Sequence, residues 1–312
     1  MPPEHPDPPA TVGGQAVLEG VMMRAPGAWA VAVRRPDGAI EAARHPLPRL
    51  SSRSRLARMP FMRGVMVLGE SLTLGYRALA WSAQKAADED EEEIGKAQIA
   101  GAMGIALVIF GGLFIVLPAL VAGWAARDSD LLFVTLEAVI RIVLFVGYVW
   151  AIGRSEDIAR VFRYHGAEHM SIYAYEAGEP LSVDAVERHR PEHPRCGTNF
   201  LMIVILLAIV VFTLVGRPDW PLLIASRIIG IPVIAGLAYE VLKFAGTRQG
   251  DRMGRLLAAP GMWLQKLTTG VPDRPMIEVA IASLISALDD DEVDALVVRG
   301  GVPEGALAAR PD

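Results

Sequence analysis

Four long apolar runs, at about residues 98–124, 131–152, 200–216 and 220–242, dominate the pattern of the chain. Each approaches the roughly 20 residues that a helix needs to cross about 30 Å of hydrocarbon. The third is the shortest, but it carries no charge from Phe200 to Val215. The runs predict a mainly α, polytopic membrane protein with four transmembrane helices. Residues 60–87 follow a different pattern. Arg63, Glu70, Arg77 and Gln84 recur every seven residues within an otherwise apolar stretch, which predicts an amphipathic or re-entrant helix. Such a helix is either buried in a bundle or lies in the membrane surface with its polar stripe outward. Upstream, Ala28–Val33 and Ala39–Ala43 flank the turn sequence Arg35-Pro-Asp-Gly38, so a small β-hairpin is expected there. The stretch Gly13–Arg24 reads locally as a strand and turn packed under that hairpin, with Gln15, Glu19 and Arg24 as polar residues set among apolar ones. Toward the other end, an amphipathic helix near Arg252–Leu267, broken at Pro260-Gly261, precedes a second helix at Pro275–Leu288.

These elements divide the chain. Residues 1–10 read as a disordered, proline-rich tail without the apolar core of a signal peptide, and 11–97 as a cytoplasmic hairpin and amphipathic-helix region. The acidic run at 88–93 is a solvated linker. Residues 98–288 form the four-helix membrane domain, with a polar loop at 153–199 and C-terminal helices, and 289–312 form a flexible tail. The basic residues orient the whole. Arg154, Arg160, Arg163, Arg188, Arg190 and Arg195 crowd the loop between runs two and three, and Lys243, Arg248, Arg252 and Arg255 follow run four. The other two connections are short and nearly neutral. A multi-pass protein of the plasma membrane with both termini and the 153–199 loop in the cytoplasm is therefore expected. The bilayer is the expected partner. A net charge of −5 argues against nucleic acid, and the single cysteine excludes an internal disulfide. Within the runs, Glu137, Arg141 and Arg227 read as a structural ion pairing between helices, and a transport pathway is the lesser reading.

The chemistry concentrates in the 153–199 loop, which holds four of six histidines and the lone cysteine. His165 and His169, four residues apart, share one helix face, and Glu168 precedes the second histidine. His165-x-x-Glu168-His169 has the spacing of the inverted zinc-protease motif, in which two imidazoles bind the metal and the glutamate activates water. A metal needs further ligands, and His189, His193 and Cys196 follow in a proline-flanked loop. Glu240, at the cytoplasmic end of run four, reaches a similar depth. Zinc or another divalent metal held by His165, His169, His193 and Cys196 would be a filled, structural site. Three ligands, or a set completed by Glu240, would leave an open and catalytic position, with Glu168 as general base. A membrane metal-dependent hydrolase acting on a peptide, lipid or membrane-protein substrate is the leading reading. A non-enzymatic assembly or scaffold protein with a structural metal is the alternative, and a transporter comes third.

Several stretches carry a further signal: Gly13-Gly-Gln-Ala-Val-Leu-Glu-Gly-Val-Met-Met-Arg24, Tyr164-His-Gly-Ala-Glu-His169, and His193-Pro-Arg-Cys-Gly-Thr-Asn-Phe-Leu201. Ala238-Tyr-Glu240, Pro260-Gly-Met-Trp-Leu-Gln-Lys-Leu-Thr-Thr269 and Ile277-Glu-Val-Ala-Ile-Ala282 add to it. Over roughly residues 12–288 the chain resembles the YqhQ-like bacterial membrane proteins, a family with a domain of unknown function. The resemblance implies a membrane protein, supports metal dependence and supplies no substrate. It also implies that Gln15, Glu19 and Arg24 do more than fill a strand, by folding over the histidine loop. Glu70 joins them as a further candidate site residue.

Overall fold

The computed structural model describes residues 11–47, 59–87, 96–246, 248, 251–300 and 302–311. The expected tail at 1–10 and the acidic run at 88–93 lie outside the described residues. Among the described residues the protein is mainly helical, with four helices long and apolar enough to cross a membrane and one small antiparallel sheet.

The sheet is a meander of β1 (Gly13–Val17), β2 (Gly20–Arg24), β3 (Ala28–Arg34) and β4 (Ile40–Pro46). The expected hairpin is β3–β4, turning through Arg35–Gly38, where Gly38 takes φ +88. The preceding stretch forms a hairpin of its own, whose tight turn places Glu19 at φ +50. Alternation along the strands assigns their two faces. Val21, Met23, Ala30 and Ala32 join one buried cluster, and Met22, Trp29, Val31 and Val33 join another. Both faces are covered, which is why β3 reads as an unbroken apolar run.

The second face packs on α1 (Met62–Ala86) through Leu74 and Ala78. The heptad stripe of α1 does not point one way. Glu70 is buried and faces Arg24 of β2 at 3.8 Å, and Arg63 pairs with Glu240. Gly64, Glu70, Leu74, Ala78 and Ser82 turn inward instead, while Met66, Leu72 and Leu79 are exposed. Arg77 and Gln84 of the stripe share the outer face with these apolar side chains, a mixture that suits a helix at a membrane surface.

The spans are built as follows. α2 (Lys96–Gly111), a π-helical turn at Gly112–Val116 and α3 (Leu117–Ala125) form one rod, which is followed by α4 (Asp130–Ile152). α5 (Glu156–Glu176) and the short α6 (Val183–Val186) precede α7 (Gly197–Val215) and α8 (Trp220–Gly246). The intramembrane charges meet as expected of a structural pairing: Glu137 bridges Arg141 at 2.6 Å and Arg227 at 2.7 Å.

α9 (Arg252–Thr268) packs against α7, and α10 (Arg274–Ala287) is buried between the sheet and α5. The expected break at Pro260-Gly261 does not occur. Gly261 lets α9 approach α7 closely, because a Cβ there would collide with Asn199, and that packing carries the helix across the proline. The segment expected as a flexible tail from 289 instead forms α11 (Asp290–Arg299) and α12 (Glu304–Ala308). Leu296 and Ala306 anchor these helices in the sheet core.

Candidate metal centre

α5 carries the two paired histidines. Glu156 and Asp157 in its first turn complement the helix dipole. From Gly166 to Ile172 every residue is buried, so this polar helix runs through the interior rather than along the surface. Gly166 permits this, since a Cβ there would strike the carbonyl of Gly270 in the α9–α10 connection. That connection is tied to α5 by a hydrogen bond from Gly270 N to Phe162 O, 2.8 Å long.

The ring of His165 presents Nδ1 to the carbonyl of Thr268 at 2.8 Å, and that of His169 presents Nδ1 to the carbonyl of Pro191. A carbonyl only accepts, so both Nδ1 atoms bear the proton and both Nε2 atoms keep a free lone pair. His165 Nε2 lies 3.1 Å from the sulfur of Cys196. His169 Nε2 is buried without a hydrogen-bond partner. Together with the Cys196 sulfur, these ligand atoms lie within 4.8 Å of one another. Cys196 occupies the N-cap of α7, where its sulfur accepts from Thr198 N at 3.4 Å and Thr198 Oγ1 at 3.2 Å. Two imidazoles fixed by backbone carbonyls and one oriented sulfur make a donor set suited to a soft or borderline divalent ion. The unpartnered Nε2 of His169 fits such an ion. Without one, a buried polar atom would be left unsatisfied at a cost of about 1–3 kcal/mol.

Glu168 is buried beside this group, under β1. A Cβ on Gly14 would sit 3.0 Å from its Oε1, and its Oε2 has no hydrogen-bond partner. Burial pushes the carboxyl up to about 7, against the pull of His165, His193 and the Gly14 backbone N–H. Burial also lowers His169, and it lowers His193 to about 4.

A family model described as "Protein of unknown function (DUF1385)" matches residues 59–290. The chain belongs to this family. It is also similar to the "Uncharacterized protein YqhQ" of Bacillus subtilis (strain 168), with 32% identity over 295 residues, covering 90% of this chain and 92% of that one. No solved structure matches the chain. The DUF1385 match includes α5, α7 and α9, so every ligand-type side chain of the cluster falls within it, whereas the sheet lies outside it.

The remaining site residues expected of this DUF1385 chain are spread over several contacts. His193 neighbours the cluster, its ring 5.7 Å from that of His169, but its nitrogens are otherwise engaged. Its Nδ1 accepts from Arg195 N at 3.2 Å, and its Nε2 faces Glu176 at 3.5 Å. His189 stacks on Tyr173 and faces Glu179 at 3.5 Å. The structure does not bring Glu240 to the cluster. Its Oε1 accepts from Arg63 Nε at 2.7 Å and from Phe61 N at 3.1 Å, and its Oε2 pairs with Arg63 Nη2. Both oxygens thus hold the start of α1 against α8, where Gly64 and Gly236 allow close approach to Tyr239 and Phe61. The N-terminal candidates also lie apart from the ligands. Glu19 pairs with Arg160 and approaches Tyr164 Oη at 3.4 Å. Gln15 packs against Gly75, and Arg24 reaches Glu70. What covers the histidine helix is the strand β1 itself, through Gly14.

Sequence reasoning missed Gln265. Fully buried on α9, it accepts from His193 N at 2.7 Å, and its Nε2 donates to His193 O at 2.9 Å and Asn199 Oδ1 at 3.2 Å. It clamps the loop that delivers Cys196. The available signal was a glutamine placed directly beside Leu264 on the apolar face of an amphipathic helix.

Proposed function

We propose that this membrane protein carries a metal-dependent, hydrolytic site, with His165, His169 and Cys196 as ligands to zinc or a similar divalent ion. The observation that supports this reading is the shared tautomer of the two histidines. Both Nδ1–H groups are committed to carbonyls, and both Nε2 lone pairs remain beside one sulfur. Three protein ligands with His193 turned away resemble a catalytic site more than a closed structural one. A bound zinc ion would supply a Lewis-acidic fourth position for water or a substrate oxygen. Glu168, buried and titrating near neutrality, would act as the general base that takes a proton from that water. Strand β1 keeps bulk solvent off the carboxylate through Gly14. The arginine-rich flanks of this segment favour a cytoplasmic orientation, so the substrate would be a peptide, a lipid headgroup or a small phosphoester reached from that side.

One observation supports a non-catalytic role as well. The two carbonyls that the histidines hold belong to separate segments, so an ion bound there would also pin the 189–199 loop to α5 and α9. The two readings part at Glu168. Elemental analysis of detergent-purified protein is expected to give about one metal per chain, lost in His165→Ala and His169→Ala. Glu168→Gln is expected to keep the metal yet fail to complement a deletion strain. Full complementation by Glu168→Gln would leave the ion with a structural role, and a folded, active wild type without metal would end both readings.

A further inference from the structure

The intramembrane charges do not balance. Glu137, Arg141 and Arg227 are all buried, with 2%, 7% and 1% exposure. One carboxylate thus faces two guanidiniums, and an arginine in a protein does not give up its proton. The group lies deep in the bilayer. Arg141 is eleven residues into α4, about 17 Å along its axis. An excess positive charge at that depth is costly without a counter-charge. Part of the cost is offset by polarisable partners. Arg141 Nε donates to Phe114 O at 3.1 Å, a carbonyl within the π-helical turn, and the Phe212 ring lies 5.2 Å from Arg141 and 4.2 Å from Arg227. Neither partner supplies a negative charge.

A cavity of about 280 Å³ adjoins the two arginines. Among the described residues lining it, only Arg141 and Arg227 are polar. Phe110, Leu201 and Ile231 are lining residues that are also substantially exposed on the outer surface of the spans, so the cavity opens toward the acyl chains. The cavity therefore takes the head and the first part of a long acyl chain, and the rest leaves through the opening toward the bilayer. The geometry points to a binding site for a free fatty acid, its carboxylate on Arg141 and Arg227 and the first part of its chain in the cavity. Glu137 already holds Nε and Nη2 of Arg227 and Nη2 of Arg141. The added carboxylate would therefore meet the Nη1 groups, of which that of Arg227 now donates to Ser226 Oγ at 3.3 Å, and would cancel the single excess charge. A phospholipid head would bring ester and glycerol oxygens that this wall cannot pair. A small anion would leave the apolar volume unfilled. The site is separate from the metal centre and does not depend on it.

Binding of radiolabelled hexadecanoate to the full chain in phosphatidylcholine nanodiscs at pH 8 tests this, with hexadecanol as the uncharged comparator. Saturable binding near one per chain is expected, at least tenfold tighter for hexadecanoate than for hexadecanol. Arg141→Gln is expected to weaken hexadecanoate binding at least tenfold. Should that variant fail to fold, Ala208→Phe fills the cavity wall without touching the charges, and it should abolish binding of both ligands. Uptake no greater than into empty discs, equal affinity for the alcohol, displacement by chloride alone, or undiminished binding in Ala208→Phe would each overturn the assignment.

Discussion

Replacing His193 tests whether the metal centre is open or closed. In the structure the ring contributes one hydrogen bond, from Arg195 N to Nδ1, a contact between Nε2 and Glu176 at 3.5 Å, and an edge-to-face contact with Tyr173 at 4.4 Å. His193→Gln keeps a polar side chain of comparable reach, so the loss is about one loop hydrogen bond and the ring contact, or roughly 2 kcal/mol. Passed entirely to the ion, that energy weakens binding by about 30-fold. Cys196→Ser is a different kind of change. It replaces a sulfur donor 3.1 Å from His165 Nε2 by a hydroxyl that binds zinc poorly, while the serine oxygen can still accept from Thr198 at the N-cap, so the loss falls on the metal rather than on the helix. An affinity loss of about 100-fold or more is expected there, the scale of a lost ligand rather than a lost support. Competition with a calibrated chelator on the two purified variants, followed by elemental analysis, measures both numbers in one experiment. Equal and large losses in the two variants would mean that His193 is a fourth ligand. The site would then be filled and Glu168 would have no water to activate.

Three other outcomes follow from the same contacts. Gln265→Leu removes the clamp on His193 N, His193 O and Asn199, leaving buried groups unpaired at a cost of about 3 kcal/mol, so a lowered thermal midpoint and weakened metal retention are expected together. Glu240→Gln should leave metal content unchanged, while limited proteolysis near Phe61 becomes faster, because the α1–α8 contact is loosened; lost metal would restore Glu240 to the site. In metal-free protein, Glu168 binds its proton up to about pH 7 when folded but only up to 4.5 when unfolded. Its contribution is therefore complete below pH 4.5 and disappears as the pH rises through 7. Glu168→Gln should thus gain stability over wild type across that window, by on the order of 3 kcal/mol, and a pH-independent difference in thermal midpoint would refute the buried-acid picture.

Much of this molecule was legible as pattern. The four spans follow from apolar length, and the β3–β4 hairpin follows from the turn sequence Arg35-Pro-Asp-Gly38 between two strand-like segments. The pair His165 and His169 is a helix-spacing inference that needs no tertiary information. Cys196 joins them because the proline-flanked loop returns to α5, which the clustering of rare residue types signalled. The burial of α5 was not legible, since its composition is that of a surface helix. It is buried because β1, α9 and α10 close around it, and glycines at 14, 166 and 270 let the backbones meet. Residues 289–312 were misread for a related reason: their few apolar side chains are anchors, and anchors are visible only once the sheet core they enter is known.

Glu240 shows where one-dimensional reasoning about charge fails. Depth along a span guides which side chains can stand level with the histidine loop, and Glu240 does stand near the C-terminal end of α8. Depth leaves the azimuth around the helix undetermined, and a helix turns about 100° per residue. Gly236 and Tyr239 fix that azimuth by packing on Phe61 and Gly64, and they turn Glu240 toward Arg63. The same logic applies to the stripe on α1. Arg63 and Glu70 are seven apart, yet one meets α8 and the other meets β2, because α1 lies across both surfaces. Charges spaced as one stripe therefore serve two interfaces. α1 is thus placed to join the sheet that covers Glu168 to the membrane bundle, with Arg63–Glu240 at one contact and Arg24–Glu70 at the other. Loosening either pair should shift the sheet relative to α5 before it disturbs the ligands. On the proposed function the carboxylate under Gly14 would respond first, so a loss of complementation ahead of any loss of metal is the signature expected of this coupling.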